Sequence, residues 1–431
     1  MEQDPKNPPL ENANAGNAPP PLASPPPRTS SPLRSSLAVL LSLSLGLFLV
    51  ESVVSLADDT LILFLDLHLL TAIRGLLFFF AMLMAIGLYV LMGLTPMIPK
   101  RLFLPVALFN PVAGLLVIPL LIYFYSRMQQ IAWLISLVQV VLGVAILRWI
   151  QGGLKLQWPL VPESRIEARR FSWRHLSVFL VVNVFILLPA TMLYLALCVS
   201  VGVGHFSEGF LALRTDGLTV QVRKYVRDDG RMIQLVPMMH IGDPAFYRKL
   251  SQSFPSNSVI LMEGVSDDRN LLTNKITYQR MAQSLGLAEQ QEEFNPIQSE
   301  IVPADVDVEQ FGTNTLAFMN LVMLVHAKGA SLENVLKMVQ YTPPPGFHEE
   351  LLADLLWNRN RHLLGEIEAR LPETQLIIVP WGAAHIPQIA REIQKSGFRL
   401  DETRDYFVIR FGSAGRNNVE RGGESGKPDE D

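Results

Sequence analysis

The stretch IVPWGAAHIPQIAREI, residues 378–393, joins an apolar run, a turn of small residues around Gly382, one histidine and a helical pattern. Proline has no N–H to give to a sheet ladder, so Pro380 is expected to mark the end or edge of a strand. Pro387 suits the first turn of a helix, and Ile386, Ile389 and Ile393 fall on one side of it. The reading is strand, glycine turn, helix, with His385 at the seam: a building block of an α/β domain.

The same shape recurs elsewhere in the chain. GLTVQVRKYV (217–226), RDDG and RMIQLVPMMH (231–240) read as a β-hairpin whose second strand ends on His240. DPAFYRKLSQSF follows as a helix, with Asp243 as N-cap and Pro244 at its first position. SVILMEGV is a short apolar strand ending on Glu263, and EIVPADVDV delivers Asp305 just past its own Val-Pro. Four strand ends therefore present His240, Glu263, Asp305 and His385. In open α/β sheets the carboxyl edge of the strands is where ligands bind.

Each residue alone has a plainer explanation: a histidine as a structural hydrogen-bonder, Glu263 as an exposed turn residue, Asp305 as a cap. The coincidence of four residues of metal-ligand or acid/base type at equivalent places is what points to a site. His326 lies on a mostly apolar helical stretch and belongs to a core or amphipathic face, while His205 and His348 lie in connecting segments.

This α/β region, 205–412, is about half of the chain. The 431 residues are 49% hydrophobic and only 18% charged, which is unlike an ordinary soluble protein. Residues 1–35 are rich in Pro, Ser, Asn and Ala and read as a disordered tail, as do the polar residues 413–431. Between them, 36–204 contain five apolar stretches, about 36–57, 72–94, 102–125, 131–150 and 176–203, each near the 20 residues a bilayer-crossing helix needs. Their interiors read as almost free of charge, with Asn110 and Asn183 as polar exceptions suited to bonding between helices. Ser55-Leu56-Ala57 resembles a small-residue cleavage site, but the long proline-rich leader argues against a signal peptide. Lys and Arg are concentrated in the tail (Arg28, Arg34) and in alternate loops (Lys100, Arg101; Lys155, Arg165, Arg169, Arg170, Arg174), which places the tail in the cytoplasm. Five crossings then put 205–412 outside, as suits a bacterial inner membrane with a periplasmic domain. Net charge is −4 with no basic stripe, so no nucleic-acid partner is expected. The single cysteine, Cys198, makes neither an internal disulfide nor a multi-thiolate metal site.

Taken together, the motifs of 205–412 resemble the TraB/PrgY/Tiki family. Gly382-Ala383-Ala384-His385 with the following Ile386-Pro387 matches its second G-x-x-H motif, Glu263 its glutamate, and Arg359-Asn360, opening NRNRHLLGEIEARL, its Arg-Asn pair. Asp305 in PADVDV is similar to the aspartate of a further motif, with Val306 where an arginine is expected. In the first histidine motif, Pro237-Met238-Met239-His240 keeps the histidine and lacks the glycine. The resemblance covers about 205–412 and implies an α/β domain built as two related halves, which adds to the membrane helical bundle of about five spans read from the apolar stretches. It also implies a membrane-anchored, outward-facing metal-dependent hydrolase acting on peptides or another small secreted substrate.

In that picture a divalent ion of the Mn, Co or Zn class is held by His240, His385, Glu263 and Asp305, and activates a water. Glu263 is either a third ligand or the general base; Arg359 stabilises the oxyanion or anchors a substrate carboxylate, and Asn360 orients its neighbours. The missing glycine and arginine favour a second reading, a non-catalytic peptide- or ligand-binding membrane protein. A transporter is a third, disfavoured because the spans read as poor in buried ionisable groups.

Overall fold

The computed structural model describes residues 32–153, 156–168, 171–273, 278–296, 299–328, 331, 333–334, 337–338, 341 and 343–412. By packing, the chain divides into two compact units. One comprises the described residues up to Val117 together with Phe124–Ile186; the other comprises Ile118–Tyr123 and the residues from Leu187 onward.

The first unit is helical: α1 (Pro32–Leu65), α2 (Thr71–Leu94), α3 (Lys100–Phe124), α4 (Met128–Gln151) and α5 (Trp173–Val182). Among the described residues, four helical stretches are long and apolar enough to cross a membrane: Pro32–Leu65, Thr71–Leu94, Lys100–Gln151 and Trp173–Phe206. The third combines two of the five expected spans. At its middle, the 3-10 turn Tyr125–Arg127 is flanked by dihedrals that leave the helical region, φ −127° and ψ 31° at Phe124 and φ −112° and ψ 12° at Arg127.

The apolar core of this unit joins the start of α1 (Leu37, Leu41), the end of α2 (Leu88, Met92), the start of α3 (Phe103, Val106) and the end of α4 (Ile146, Ile150). Successive helices therefore alternate in direction. Asn183 bonds between helices as expected: its Oδ1 accepts from the Tyr89 hydroxyl at 2.8 Å.

The second unit begins with α6 (Leu188–Phe206) and the strands β1 (Leu211–Arg214), β2 (Gly217–Val226), β3 (Met232–Met238) and β4 (Ile241–Gly242), then α7 (Pro244–Gln252) and β5 (Val259–Met262). It continues with α8 (Gln279–Ser284), β6 (Ala288–Glu289), α9 (Gln290–Glu293), β7 (Glu300–Pro303) and α10 (Thr313–Lys328). The last elements are α11 (Phe347–Leu352), α12 (Asn358–Arg370), β8 (Leu376–Gly382), α13 (Ile386–Lys395) and β9 (Arg399–Arg410). The main sheet runs β1-β2-β3-β8-β5-β7, with β9 pairing β2; β4 and β6 form a separate pair. The expected hairpin is present, β2 and β3 pairing antiparallel from Arg223↔Leu235 to Val226↔Met232.

β3, β8, β5 and β7 are parallel neighbours. The alternation of β8 explains its burial on both faces. Ile377, Val379 and Trp381 pack with Leu363 and Ile367 of α12 and with Ile386, Ile389 and Ile393 of α13. Leu376 and Ile378 face the other way, toward Phe246, Tyr247 and Leu250 of α7. The result is a mixed α/β domain with helices on both faces of the sheet.

Two local expectations change. Pro380 does not end its strand: β8 continues to Gly382, with Val236↔Pro380 as register partners on β3. On the other side β5 pairs only with Ile377 and Ile378, so the proline falls where that side of the ladder has already stopped. Asp243 stands at the N-cap position of α7 without a side-chain capping bond; its Oδ2 instead accepts the Arg410 N–H at 3.0 Å.

Candidate functional site

The parallel strands deliver their carboxyl ends to one edge, and three of the four expected residues meet there. Glu263 follows β5, Asp305 follows β7 and His385 stands at the N-cap of α13 after β8. Arg359 and Asn360, in the first turn of α12, reach in from the covering helix layer.

Arg359 is the hub. Its Nε donates to Asp305 Oδ1 at 2.9 Å and its Nη2 to Asp305 Oδ2 at 2.6 Å, a bidentate pair; Nη2 also donates to Glu263 Oε1 at 2.7 Å. Nη1 faces the Leu355 carbonyl and His385 Nε2, each at 3.3 Å. All five guanidinium N–H groups therefore have an acceptor. The Asp305 side chain is 0% exposed, and its oxygens also accept the N–H groups of Gly264 (3.0 Å) and Val306 (2.9 Å). The second oxygen of Glu263 accepts the Gly382 N–H. That contact favours glycine at 382, because a Cβ there would stand 3.2 Å from Glu263 Oε2.

His385 is oriented from both ends. Nδ1 lies 2.6 Å from Asn360 Oδ1, while Asn360 Nδ2 donates to Gln388 Oε1 at 2.7 Å. An Arg359 N–H points at Nε2, which can only accept, so the proton belongs on Nδ1. Burial lowers the pKa of His385; the Arg359 charge adds to this, and the Glu263 and Asp305 carboxylates oppose it. The ring is thus held neutral, its Nε2 lone pair 3.6 Å from Glu263 Oε1. Trp381 closes one side, edge-on to the imidazole at 5.4 Å, with its own N–H held by the Leu261 carbonyl at 3.0 Å. Burial pulls the Arg359 pKa down, but bonds and charge from Asp305 and Glu263 outweigh it and raise the pKa, so the guanidinium is firmly cationic.

His240 stands apart from this cluster. It is exposed and stacks on Tyr278, with ring centroids 5.1 Å apart and planes 7° from parallel. The chain turns away after β3: the Tyr247 hydroxyl donates to the Met239 carbonyl at 2.6 Å, and the Gln290 N–H donates to the His240 carbonyl at 2.9 Å. Tyr278 also meets His326 edge-on, at 5.5 Å.

The expected metal set of His240, His385, Glu263 and Asp305 is therefore not assembled. Among the described residues, no group of three or more His, Cys, Asp or Glu is arranged to hold a metal ion. The donor atoms of Glu263 and Asp305 are turned onto Arg359, so the residues as placed do not fit a divalent ion. A cleft of about 490 Å³, lined by Arg227, Arg231, Glu368, Pro372 and Phe398 among others, lies near the amino ends of β3 and β8, away from the cluster.

The first unit holds ionisable groups that the sequence reading passed over. Glu51, Asp58 and Asp59 of α1 are buried, the two aspartates completely. Arg74 Nη1 pairs with Asp59 at 2.5 Å and Asp58 at 3.5 Å. Ser136 donates to Asp59 at 2.6 Å, and Gln139 donates to Glu51. Their signal was the seven- and eight-residue spacing of the acids, which sets them on one face of α1.

Fold and site define a chain with an apolar helical unit, the mark of a membrane protein, and a mixed α/β domain with an arginine-centred cluster at the carboxyl edge of its parallel strands. No family model, curated protein or solved structure matches it.

Proposed function

We propose that the protein is a membrane-anchored hydrolase whose α/β domain, similar in its motifs to the TraB/Tiki family but departing from the metal dependence that the resemblance implies, acts outside the cytoplasm on peptides. The observation that carries this reading is the convergence of Glu263, Asp305, Arg359, Asn360 and His385 from separate elements at one sheet edge. A neutral imidazole, held by Asn360 through Nδ1, is prepared to take a proton from a water at Nε2. That step requires Nε2 to exchange its 3.3 Å contact with Arg359 for the water, and the released Arg359 N–H then faces developing negative charge. Glu263 and Asp305 fix the guanidinium. No step passes through a metal, because the donor set does not fit one. The division into two related halves rests on the resemblance.

The orientation follows from the basic residues. Arg34, Lys100, Arg101, Arg148, Arg165 and Arg174 lie at the end of the first unit where α1 and α3 start and α2 and α4 finish. An excess of Lys and Arg favours the cytoplasmic side. With the turn at Tyr125–Arg127 dividing the third helical stretch, the chain makes five crossings and the α/β domain emerges on the outer face of, most simply, a bacterial inner membrane.

One observation favours a second reading, a non-catalytic peptide- or ligand-binding protein: every Arg359 N–H is satisfied and His240 is absent from the cluster. The test is incubation of the full-length protein in detergent with a defined peptide mixture, followed by mass spectrometry. New termini formed by the wild type and lost in Glu263→Gln support hydrolysis. Peptide retained stoichiometrically without new termini supports binding and overturns it.

A further inference from the structure

The electron pairs that a metal ion would use at this edge are the ones Arg359 already holds. Asp305 has no oxygen lone pair to spare: Oδ1 accepts from Arg359 Nε and the Val306 N–H, and Oδ2 from Arg359 Nη2 and the Gly264 N–H. Glu263 is committed through Oε1 to Arg359 and through Oε2 to Gly382. His385 Nε2, the only imidazole nitrogen not taken by Asn360, faces Arg359 Nη1. Two carboxylates and one guanidinium leave this group a formal charge of −1. A divalent ion would have to displace a fully bonded cation or settle against it, and like charges a few ångströms apart repel each other in the poorly screened interior of a protein.

We propose that Arg359 is the resident cation of this site, filling the electrostatic place of a metal, so that Glu263, Asp305 and His385 are closed to divalent ions in the wild type and open to them once Arg359 is neutralised. Without the guanidinium the same side chains form a set of two carboxylates and a neutral imidazole, the donor chemistry that suits Mn, Co and Zn. His385 Nε2 and Glu263 Oε1 already stand 3.6 Å apart, and each lies within 3.3 Å of an Arg359 nitrogen, so the ligands surround the position that would be vacated. The inference concerns the same cluster as the proposed hydrolysis, and its readout is metal content rather than turnover, so the failure of one is distinguishable from the failure of the other.

The experiment uses the full-length protein in detergent, incubated separately with Mn²⁺, Co²⁺ and Zn²⁺, freed of unbound metal and analysed for metal per chain by mass spectrometry. Wild type and Glu263→Gln are expected to retain the same amount. Arg359→Met is expected to gain one equivalent, with an apparent affinity at least about tenfold above wild type, and to lose it when combined with Glu263→Gln. If Arg359→Met does not fold, judged by circular dichroism, Arg359→Gln carries the same expectation while keeping an amide donor. A wild-type equivalent that Glu263→Gln or Asp305→Asn removes would overturn the proposal. So would a folded Arg359 variant that gains no metal. The wild-type comparison decides even if both Arg359 variants fail to fold.

Discussion

The Arg359–Asp305 pair makes a quantitative prediction. Asp305 is 0% exposed at its side chain and binds the guanidinium through two oxygens, whereas Glu263 is 16% exposed and binds it through one. Removing one partner of a buried ion pair costs about 3–5 kcal/mol, because the other charge stays buried without it. Arg359→Met and Asp305→Asn should each destabilise the domain by that amount. The double variant should cost little more than either alone, giving a coupling of about 3 kcal/mol, the upper end for residues in contact. For Arg359 with Glu263 the coupling should be nearer 1 kcal/mol, because partial exposure screens a single contact. The full chain has two units, so a global melting curve does not isolate this effect. Hydrogen exchange of the β8 peptide 376–382, read by mass spectrometry, does. A coupling near zero, or equal coupling for the two carboxylates, would refute the hub role assigned to Arg359.

Further outcomes can be checked singly. Arg74→Met strands Asp58 and Asp59 of α1 without their cation and should lower stability by about 3–5 kcal/mol, seen as reduced yield and an earlier unfolding transition in detergent. Gly217→Ala drives a Cβ to 2.2 Å from the Ile409 carbonyl oxygen, a backbone atom that cannot swing aside; a loss of about 1–3 kcal/mol should appear as faster exchange in β9. Burial raises the pKa of Asp243 against the opposing effects of the Arg410 N–H and charge. Its native pKa thus lies above the unfolded one, and ionisation removes stability as pH rises from the unfolded value through the native value. Asp243→Asn keeps an oxygen for the Arg410 N–H, so the hydrogen-exchange protection of β9 should exceed wild type at pH 7, with the difference vanishing below about pH 3.8.

The parallel part of the domain was legible because its signals are local. A hairpin turn, short apolar runs and Val-Pro punctuation each sit within a few residues, and together they place Glu263, Asp305 and His385 at strand ends. His240 carries the same local signal and ends elsewhere. Its position depends on contacts after β3 that no strand pattern encodes, from Tyr247 to Met239 and from Gln290 to His240. Arg359 was visible as half of an Arg-Asn pair but not as the hub, since its acceptors come from positions 54 and 96 residues away. Pro380 misled because a missing N–H matters only where a neighbouring strand waits for it. In α1, Glu51, Asp58 and Asp59 were in plain view, yet mean hydropathy averages three carboxylates into an apolar helix. Their burial shows only once Arg74 of α2 and Ser136 and Gln139 of α4 are packed against them.

The most direct test of the central claim, that this cluster is the working centre, is the peptide-cleavage rate of full-length His385→Gln beside wild type, at equal β8 exchange protection. Loss of a general base predicts a fall of about 10²–10⁴-fold. Cleavage at the wild-type rate by the folded variant would contradict it.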